Sequence, residues 1–398
     1  MKNSTIIINA TALGSRMNGI GVYLLALLRE LATLRTDTRF IIYVTKKARG
    51  HLKNLRFPAS MVLRWAPAFM APDYGFAGHL FRLLYANYLS LRHPSAFFFN
   101  GSQLEAMLFR KRQVITVHDI IPLLVPRNHA RQHWYFKSLL PCALRTAAAI
   151  ITPSHMAKKH LIVAFGLEGS KIEVIHHGSE HALDGSEVAP TRKIGDYLLF
   201  IGRASAHKNL EGVINGFCKL AGMLPHRLVV AGIAERDHAP HCAPRADAVE
   251  YRGYVNSGEK LALYRSASLL VFISHHEGFG LPPLEAMANA CPVVASHSSC
   301  IPEICGDAAY YVDPADAESI AEGIRRVATD KELRADLVQR GLERAKMFSW
   351  RKSAERHLAV FEEALFRSDR IPRGEYVLTT KEKSENADLQ TTGVRYRR

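Results

Sequence analysis

Two carboxylates, Glu277 and Glu285, flank the stretch Gly278, Phe279, Gly280, Leu281 and a Pro-Pro pair in HEGFGLPPLEA, residues 276–286. Paired carboxylates work either as general acid and base or as a grip on a ligand's hydroxyls. Proline is tolerated in the first turn of a helix and not in its middle, so Pro282 and Pro283 mark a helix start between the two acids. Glu277 is therefore expected in a strand-to-helix loop and Glu285 in or just after the first helical turn, and the two do not stack on one helix face. Gly278 and Gly280 let backbone approach a ligand closely, and the N–H groups of the starting helix form a nest for an anion or hydroxyl. A carboxylate accepts two hydrogen bonds from a vicinal diol. Two around such a nest suit a sugar at one end, a ribose at the other and phosphate between. The plainer alternative is a Gly-Pro turn with incidental surface charges.

Other residue types could complete this chemistry. FIGRASAHKNL (200–210) places Arg203 at the end of a strand and Lys208 at the entry to a helix. Arginine forks two oxygens, and lysine adds a mobile point charge. His118 ends a strand in VITVHDIIP, with Asp119 beside it as a candidate to orient the ring. Gly19 and Gly21, in NGIGVY, lie between a strand and a helix where backbone can meet a diphosphate or an acceptor, although a lone Gly-x-Gly is a weak signal. Ser154 in TPSHMAKKHL reads as a helix N-cap. HAPHC (238–242) and His176-His177 contain ligand-type residues, but no paired spacing completes a four-ligand zinc set, so no metal is expected.

Groups this far apart in the chain need a scaffold to bring them together. Short β-branched or aromatic runs at 4–11, 39–45, 61–67, 96–100, 113–119, 148–154 and 172–178 alternate with stretches of helical periodicity. After the polar, aperiodic segment 181–195 the alternation resumes at 196–202, 227–233, 249–255, 268–274, 292–296 and 308–314. Repeated strand–helix–strand units make parallel sheets covered on both faces, and two such halves enclose a cleft at the strands' carboxyl ends. The reading is an α/β chain with an N-terminal domain over 1–180, a linker over 181–195 and a second domain over 196–347. An amphipathic closing helix follows over 348–370, and a polar tail over 371–398 is predicted to be disordered.

Composition narrows the classes. The 398 residues are 48% hydrophobic and 22% charged, as in soluble globular proteins, and no apolar run is long enough for a membrane span. The apolar stretch near residue 5 is too short for a signal peptide, and the six cysteines lack CxxC spacing, so a cytoplasmic protein with reduced thiols is expected. Residues 1–180 hold 23 Lys/Arg and 8 Asp/Glu (23 − 8 = +15), whereas 181–398 hold 29 of each, so the first half carries the whole net charge of +15. Such asymmetry points to an anionic partner for that half, either a membrane surface, a phosphorylated acceptor or nucleic acid, or to plain solubility. FAGHLFRLLYANYLSLRH (76–93) is a candidate interfacial helix or a cover for the sheet, and Arg82, Arg92 and the run 110–112 are candidate membrane contacts.

EGFGLPPLEAMA followed by PVVAS resembles the retaining glycosyltransferases of family 4. FIGRASAHKNL, RGYV…LALYRSASLLVFIS (252–274), NGIGVYLLALLREL (18–31) and VITVHDIIPLLVP extend the resemblance over most of residues 1–365. It implies the GT-B fold: two Rossmann-like parallel-sheet domains facing a cleft, with a C-terminal helix returning to the N-domain. It further implies transfer of a hexose from a nucleotide diphosphate sugar to a glycan or polyprenyl-diphosphate-linked acceptor, with retention and without a cofactor. His118 and Glu277 would be catalytic, and Glu285 would hold the ribose. Gly19, Gly21, Arg203, Lys208, Gly278, Phe279, Gly280 and Leu281 would complete the donor site. With no DxD-like motif in the cleft loops, Arg203 and Lys208 would stand in for a metal at the diphosphate. The VHDIIP segment resembles members of bacterial polysaccharide assembly, many of them mannosyltransferases, which favours GDP-mannose as donor and the inner face of the cytoplasmic membrane as the place of work. Two rivals stay open at this point. A nucleotide-sugar epimerase of the same fold would convert donor without acceptor. A non-catalytic nucleic-acid binder would explain the charge, yet no nucleic-acid motif is present.

Overall fold

The structure, a computed structural model, describes residues 5–179, 195–234 and 247–370. The predicted disordered tail, the HAPHC motif and all of the predicted linker but Gly195 lie outside the described residues. Two wholly parallel sheets are present. The first contains β1 (Thr5–Asn9), β2 (Arg39–Thr45), β3 (Met61–Ala66), β4 (Phe97–Asn100), β5 (Gln113–Thr116), β6 (Ala149–Thr152) and β7 (Ile172–Val174), in the order β3-β2-β1-β4-β5-β6-β7. The second contains β8 (Tyr197–Ile201), β9 (Arg227–Ala231), β10 (Val249–Gly253), β11 (Leu269–Phe272), β12 (Val293–Ser296) and β13 (Ala309–Val312), in the order β10-β9-β8-β11-β12-β13. Each strand falls within a run that the sequence pattern marks. Continuous apolar strands such as β11, LLVF, are buried on both faces, as parallel sheets require. The arrangement is the expected GT-B fold.

In both sheets the order reverses beside the first strand, between β1 and β4 and between β8 and β11. Ligands in open α/β sheets bind at such switch points, and here the two crevices face each other. The C-terminal helix Trp350–Arg370 returns to the first domain, where Trp350, Ala354, Val360 and Phe361 share a core with Ile6, Ile8 and the helix Gly19–Leu31. Its anchor is a buried relay. The Tyr23 hydroxyl lies 2.8 Å from both Thr116 Oγ1 and His357 Nε2, and His357 Nδ1 lies 2.7 Å from the Ser353 carbonyl. A carbonyl only accepts, so Nδ1 donates to it, Nε2 is left to accept from Tyr23, and Tyr23 in turn accepts from Thr116.

Three expectations need correction. Arg82 is only 3% exposed, and its guanidinium is held by Glu105 at 2.6 Å and the Met70 carbonyl at 2.7 Å, so it is no membrane contact. Arg110 donates to the carbonyls of Ser90, His93 and Ala96, and Arg112 to that of Ser368, so both brace backbone. Cys142, Cys291, Cys300 and Cys305 are free thiols, but Cys218 is disulfide-bonded, and its position in the sequence gave no sign of it. No helix among the described residues is long and apolar enough to cross a membrane.

Burial holds His118 and His357 at a pKa of about 4, against 6.5 for a free imidazole, and pushes His177 well down as well. Between pH 6.5 and 4 the unfolded chain therefore takes up protons that the folded protein refuses. Stability should fall as pH drops through that window and be independent of these groups above it. Denaturant midpoints measured from pH 7.5 to 4.5 should show the decline, with a shallower slope in His357→Gln; an unchanged slope would remove His357 as a source.

Candidate active site

The loop after β11 carries Glu277, and the helix Leu281–Ala288 that follows carries Glu285 in its second turn, with Pro282 and Pro283 in its first turn as the sequence requires. Gly280 caps this helix at φ +102°, a conformation that side chains bearing a Cβ resist. The two acids are held differently. Lys208 Nζ lies 2.6 Å from Glu277 Oε1, while the Glu277 N–H donates to Ser299 Oγ and the Ser299 hydroxyl returns a bond to the Glu277 carbonyl. Glu285 is 8% exposed, with Lys260 on Oε1 and the Tyr264 hydroxyl 2.9 Å from Oε2. Burial, followed by the Glu285 charge and bond, raises the Tyr264 pKa, so the phenol stays protonated and donates.

Between the acids the domains touch. A Cβ at Gly278 would lie 2.0 Å from the His118 carbonyl oxygen, so backbone of one domain is seated on backbone of the other. Ser154 of the first domain caps its own helix by accepting from the Ala157 N–H and donates to the Gly278 carbonyl at 2.7 Å. The Phe279 ring wedges between His177, at 4.7 Å between centroids, and Phe348 at 6.0 Å. That ring is committed to packing, which leaves Phe279 only its backbone to offer a ligand. Glu303 reaches across from the second domain to accept from the N–H groups of His155 and Met156 and from His176 Nε2. Burial opposes ionisation of Glu303, yet these bonds hold its pKa below the usual value. His155, His176 and Glu303 bring their ligand atoms within 4.8 Å of one another, but both Glu303 oxygens are already occupied in capping this helix.

Two cavities lie in the cleft. One, of about 220 Å³, is lined by Met17, Leu281, Lys260, Tyr264 and Glu285. The other, of about 690 Å³, takes in Asn18, Asp119, Arg203, His207 and Lys208. The expected site residues are thus distributed, with Glu285 and Leu281 on the smaller cavity and Arg203 and Lys208 on the larger. Gly19 is exposed, and a Cβ there would stand 3.9 Å from Leu281 Cδ1, at the start of the second domain's helix. Gly21 is buried, and its N–H is taken by the Asn18 cap, so it offers no free donor.

His118 Nε2 lies 3.0 Å from the Gly101 carbonyl, and its N–H donates to Gln103 Oε1. Nε2 therefore carries the proton, burial keeps the ring neutral, and Nδ1 is the acceptor. Asp119 does not orient this ring: its carboxylate accepts from the Ile121 N–H two residues on, an Asx-type turn. Burial and then the nearby Glu277 charge raise the Asp119 pKa, although the Ile121 bond opposes the shift.

Two acids on opposite sides of a helix start, each paired with a lysine, at the facing crevices of two parallel sheets can hold a polyhydroxylated anion. The matches to known proteins agree. Residues 17–182 match the family described as Glycosyltransferase Family 4, and residues 187–344 match Glycosyl transferases group 1. The chain belongs to the family 4 glycosyltransferases. It is 27% identical over 368 residues to O-antigen chain mannosyltransferase B of Escherichia coli, covering 84% of this chain and 93% of that one. With O-antigen chain mannosyltransferase RfbU of Salmonella typhimurium it shares 29% over 223 residues, 54% of this chain and 61% of the relative. Among solved structures, the sucrose-phosphate synthase of Thermosynechococcus elongatus superposes with a TM-score of 0.69 at 16% identity, covering 92% of this chain and all of that one. WaaG, a glycosyltransferase involved in lipopolysaccharide biosynthesis, gives 0.65 at 13%, covering 90% and 99%. At these identities the structural likeness speaks to the fold alone.

The sequence pattern missed several residues of this glycosyltransferase's cleft. Lys260 and Tyr264 sit one turn apart on the helix Ser257–Ser266, and their i, i+4 spacing was the available signal for a shared face. Ser299 and Glu303 act through tertiary contacts that no local pattern announces. Gly278→Ala should push the domains apart without unfolding either sheet. A misplacement near 1 Å costs roughly a hundredfold in rate, so turnover of nucleotide sugar should fall by about that factor while the circular dichroism spectrum and melting curve stay the same. Wild-type turnover in this variant would show that the contact is dispensable.

Proposed function

We propose that this glycosyltransferase moves a hexose, with GDP-mannose the favoured donor, onto a glycan or lipid-linked acceptor in surface polysaccharide synthesis, with retention of configuration. The observation that carries the donor reading is the pair of braced carboxylates on either side of the Leu281–Ala288 helix start. In this reading the nucleoside occupies the smaller cavity with its ribose diol on Glu285. The diphosphate crosses beneath Gly19 toward Arg203 and Lys208, which take the place of a divalent cation. The hexose then lies at the mouth of the larger cavity, where Glu277 receives its hydroxyls and stabilises positive charge on the ring, and neutral His118 accepts from another hydroxyl through Nδ1. Support for mannose comes from the relatives that carry that activity in their names. The epimerase alternative would leave a cavity of about 690 Å³, enough for a second sugar, without a use.

Arg203→Ala and Glu285→Ala should each weaken nucleotide-sugar binding. A charge-assisted hydrogen bond is worth about 1.5–3 kcal/mol, or roughly ten- to a hundredfold in affinity. Calorimetric titration with GDP-mannose, in EDTA, checks both this and the metal-free diphosphate site. Unchanged affinity in both folded variants would remove the donor roles, and loss of wild-type binding on chelation would remove the metal-free reading.

We also propose that the basic half rests on an anionic membrane. The helix Gly75–Arg92 buries Leu83, Ala86 and Leu89 against the sheet, yet its outer face exposes Leu80, Leu84, Tyr88 and Leu91, the last 82% exposed. An apolar face with Arg92 at its end suits insertion at the headgroup boundary of anionic lipid. Leu84→Ser/Leu91→Ser should release the protein from anionic vesicles and lower turnover on a lipid-linked acceptor, while sparing a short soluble analogue. Equal loss on both acceptors would point to cleft damage instead.

A further inference from the structure

We infer that the larger cavity contains a second anion subsite, formed by Arg127 and Arg131 on the first domain, that takes a phosphate group carried by the acceptor. The inference rests on the donor reading above, because a nucleotide diphosphate claims the opposite wall. That wall holds Arg203 and Lys208; Arg127 and Arg131 face them across a space of about 690 Å³.

Charge accounting sets the two arginines apart. Lys208 is compensated by Glu277 and Arg82 by Glu105. Among the described residues Asp119 is the one carboxylate on the lining, and it is engaged by the Ile121 N–H. Arg127, Arg131 and Arg203 have no carboxylate partner among the described residues. A donor diphosphate answers Arg203 and leaves the other two unanswered. A neutral sugar acceptor gives no reason to concentrate guanidinium groups in a concave site, where like charges raise the potential, whereas a phosphate does.

Geometry agrees. Arg127 and Arg131 straddle His129, whose ring stands 6.2 Å from that of His207 on the second domain. His129 Nε2 and His207 Nδ1 are both buried without a hydrogen-bond partner, and each ring has to turn toward the cavity to meet a phosphate oxygen. Burial first, then Lys208, holds the His207 pKa at about 4, and an anion close by raises it. Arg131 is stacked 4.8 Å over the Phe76 ring, which fixes the guanidinium plane beside the start of the Gly75–Arg92 helix. A phosphate held there lies beside Phe76, at the start of the helix whose outer face is apolar. This is the order of groups in an acceptor whose phosphate joins a sugar to an apolar chain.

The test uses the full chain saturated with whichever of GDP, UDP or ADP stabilises it most, so that the donor subsite is filled. Calorimetric titration should then show one further equivalent of inorganic phosphate bound. Arg127→Gln/Arg131→Gln should weaken that event at least tenfold and leave nucleotide affinity within twofold, which also shows that the variant is folded. A second arm identifies the carrier. Mannose 1-phosphate displaces inorganic phosphate if the acceptor is soluble, and vesicles bearing a polyprenyl diphosphate sugar do so if it is lipid-borne. Absence of phosphate uptake by the nucleotide-saturated enzyme, equal phosphate affinity in wild type and variant, or displacement by neither carrier would overturn the subsite. A chain that binds no nucleotide at all would instead overturn the donor reading, and the subsite with it.

Discussion

Where Gly278 lies against the His118 carbonyl, two Rossmann-like domains meet with no side chain between them. Most of the functional geometry follows from that contact. Only glycine permits it, and with the domains so seated the helix start at Leu281 lies close to Gly19. The flanking clasps are polar and directional. Ser154 donates to the Gly278 carbonyl, and Glu303 caps the first turn of a helix that belongs to the other domain. A cap satisfies N–H groups that the helix itself leaves unpaired, so opening the cleft exposes them to water and does not strand them. Such contacts close a cleft reversibly, where an apolar interface of the same extent would tend to hold it shut.

The cleft's titratable groups divide into histidines kept neutral by burial and carboxylates paired with lysines. His118, His177 and His357 pack around Tyr23, and desolvation holds them uncharged. Glu277 and Glu285 instead keep a lysine each. Removing one partner of a largely buried pair leaves an uncompensated charge at a cost of several kcal/mol. Each lysine therefore fixes the rotamer of its carboxylate before any ligand arrives. Preorganisation of this kind spares the reaction the work of reorienting dipoles as charge develops.

Much of this was legible in sequence. Pro282-Pro283 fixed where the helix begins, and so which carboxylate lies in the loop and which in the helix. The alternating apolar runs located all the strands, because parallel strands buried on both faces are continuous hydrophobic segments bounded by polar turns. Placement of Lys208 near Glu277 followed from the rule that sites gather at strand carboxyl ends. Less was legible wherever a side chain's fate depends on a distant partner. Asp119 adjoins His118 in sequence and bonds to Ile121 instead, because a turn offers the nearer donor. Phe279 sits between the motif's two glycines, yet its ring packs against His177 and Phe348. Glu303 gave no local sign of its role, since the helix it caps is formed far earlier in the chain.

The excess positive charge of the first half shows the same limit most clearly. As composition it is one number, and it invites one explanation. In the fold its arginines serve several ends. Arg82 is spent on Glu105 in the core, Arg110 and Arg112 tie down backbone carbonyls, and Arg92 ends an amphipathic helix. Arg127 and Arg131 line the cavity instead. A long-range field depends on the sum of such charges, whereas recognition depends on which of them lack a partner within a few ångströms. Within the larger cavity, Arg127 and Arg131 are arginines of this domain without a carboxylate partner among the described residues. Arg131 also meets Phe76 at the start of the Gly75–Arg92 helix, although 55 residues separate the two in the chain.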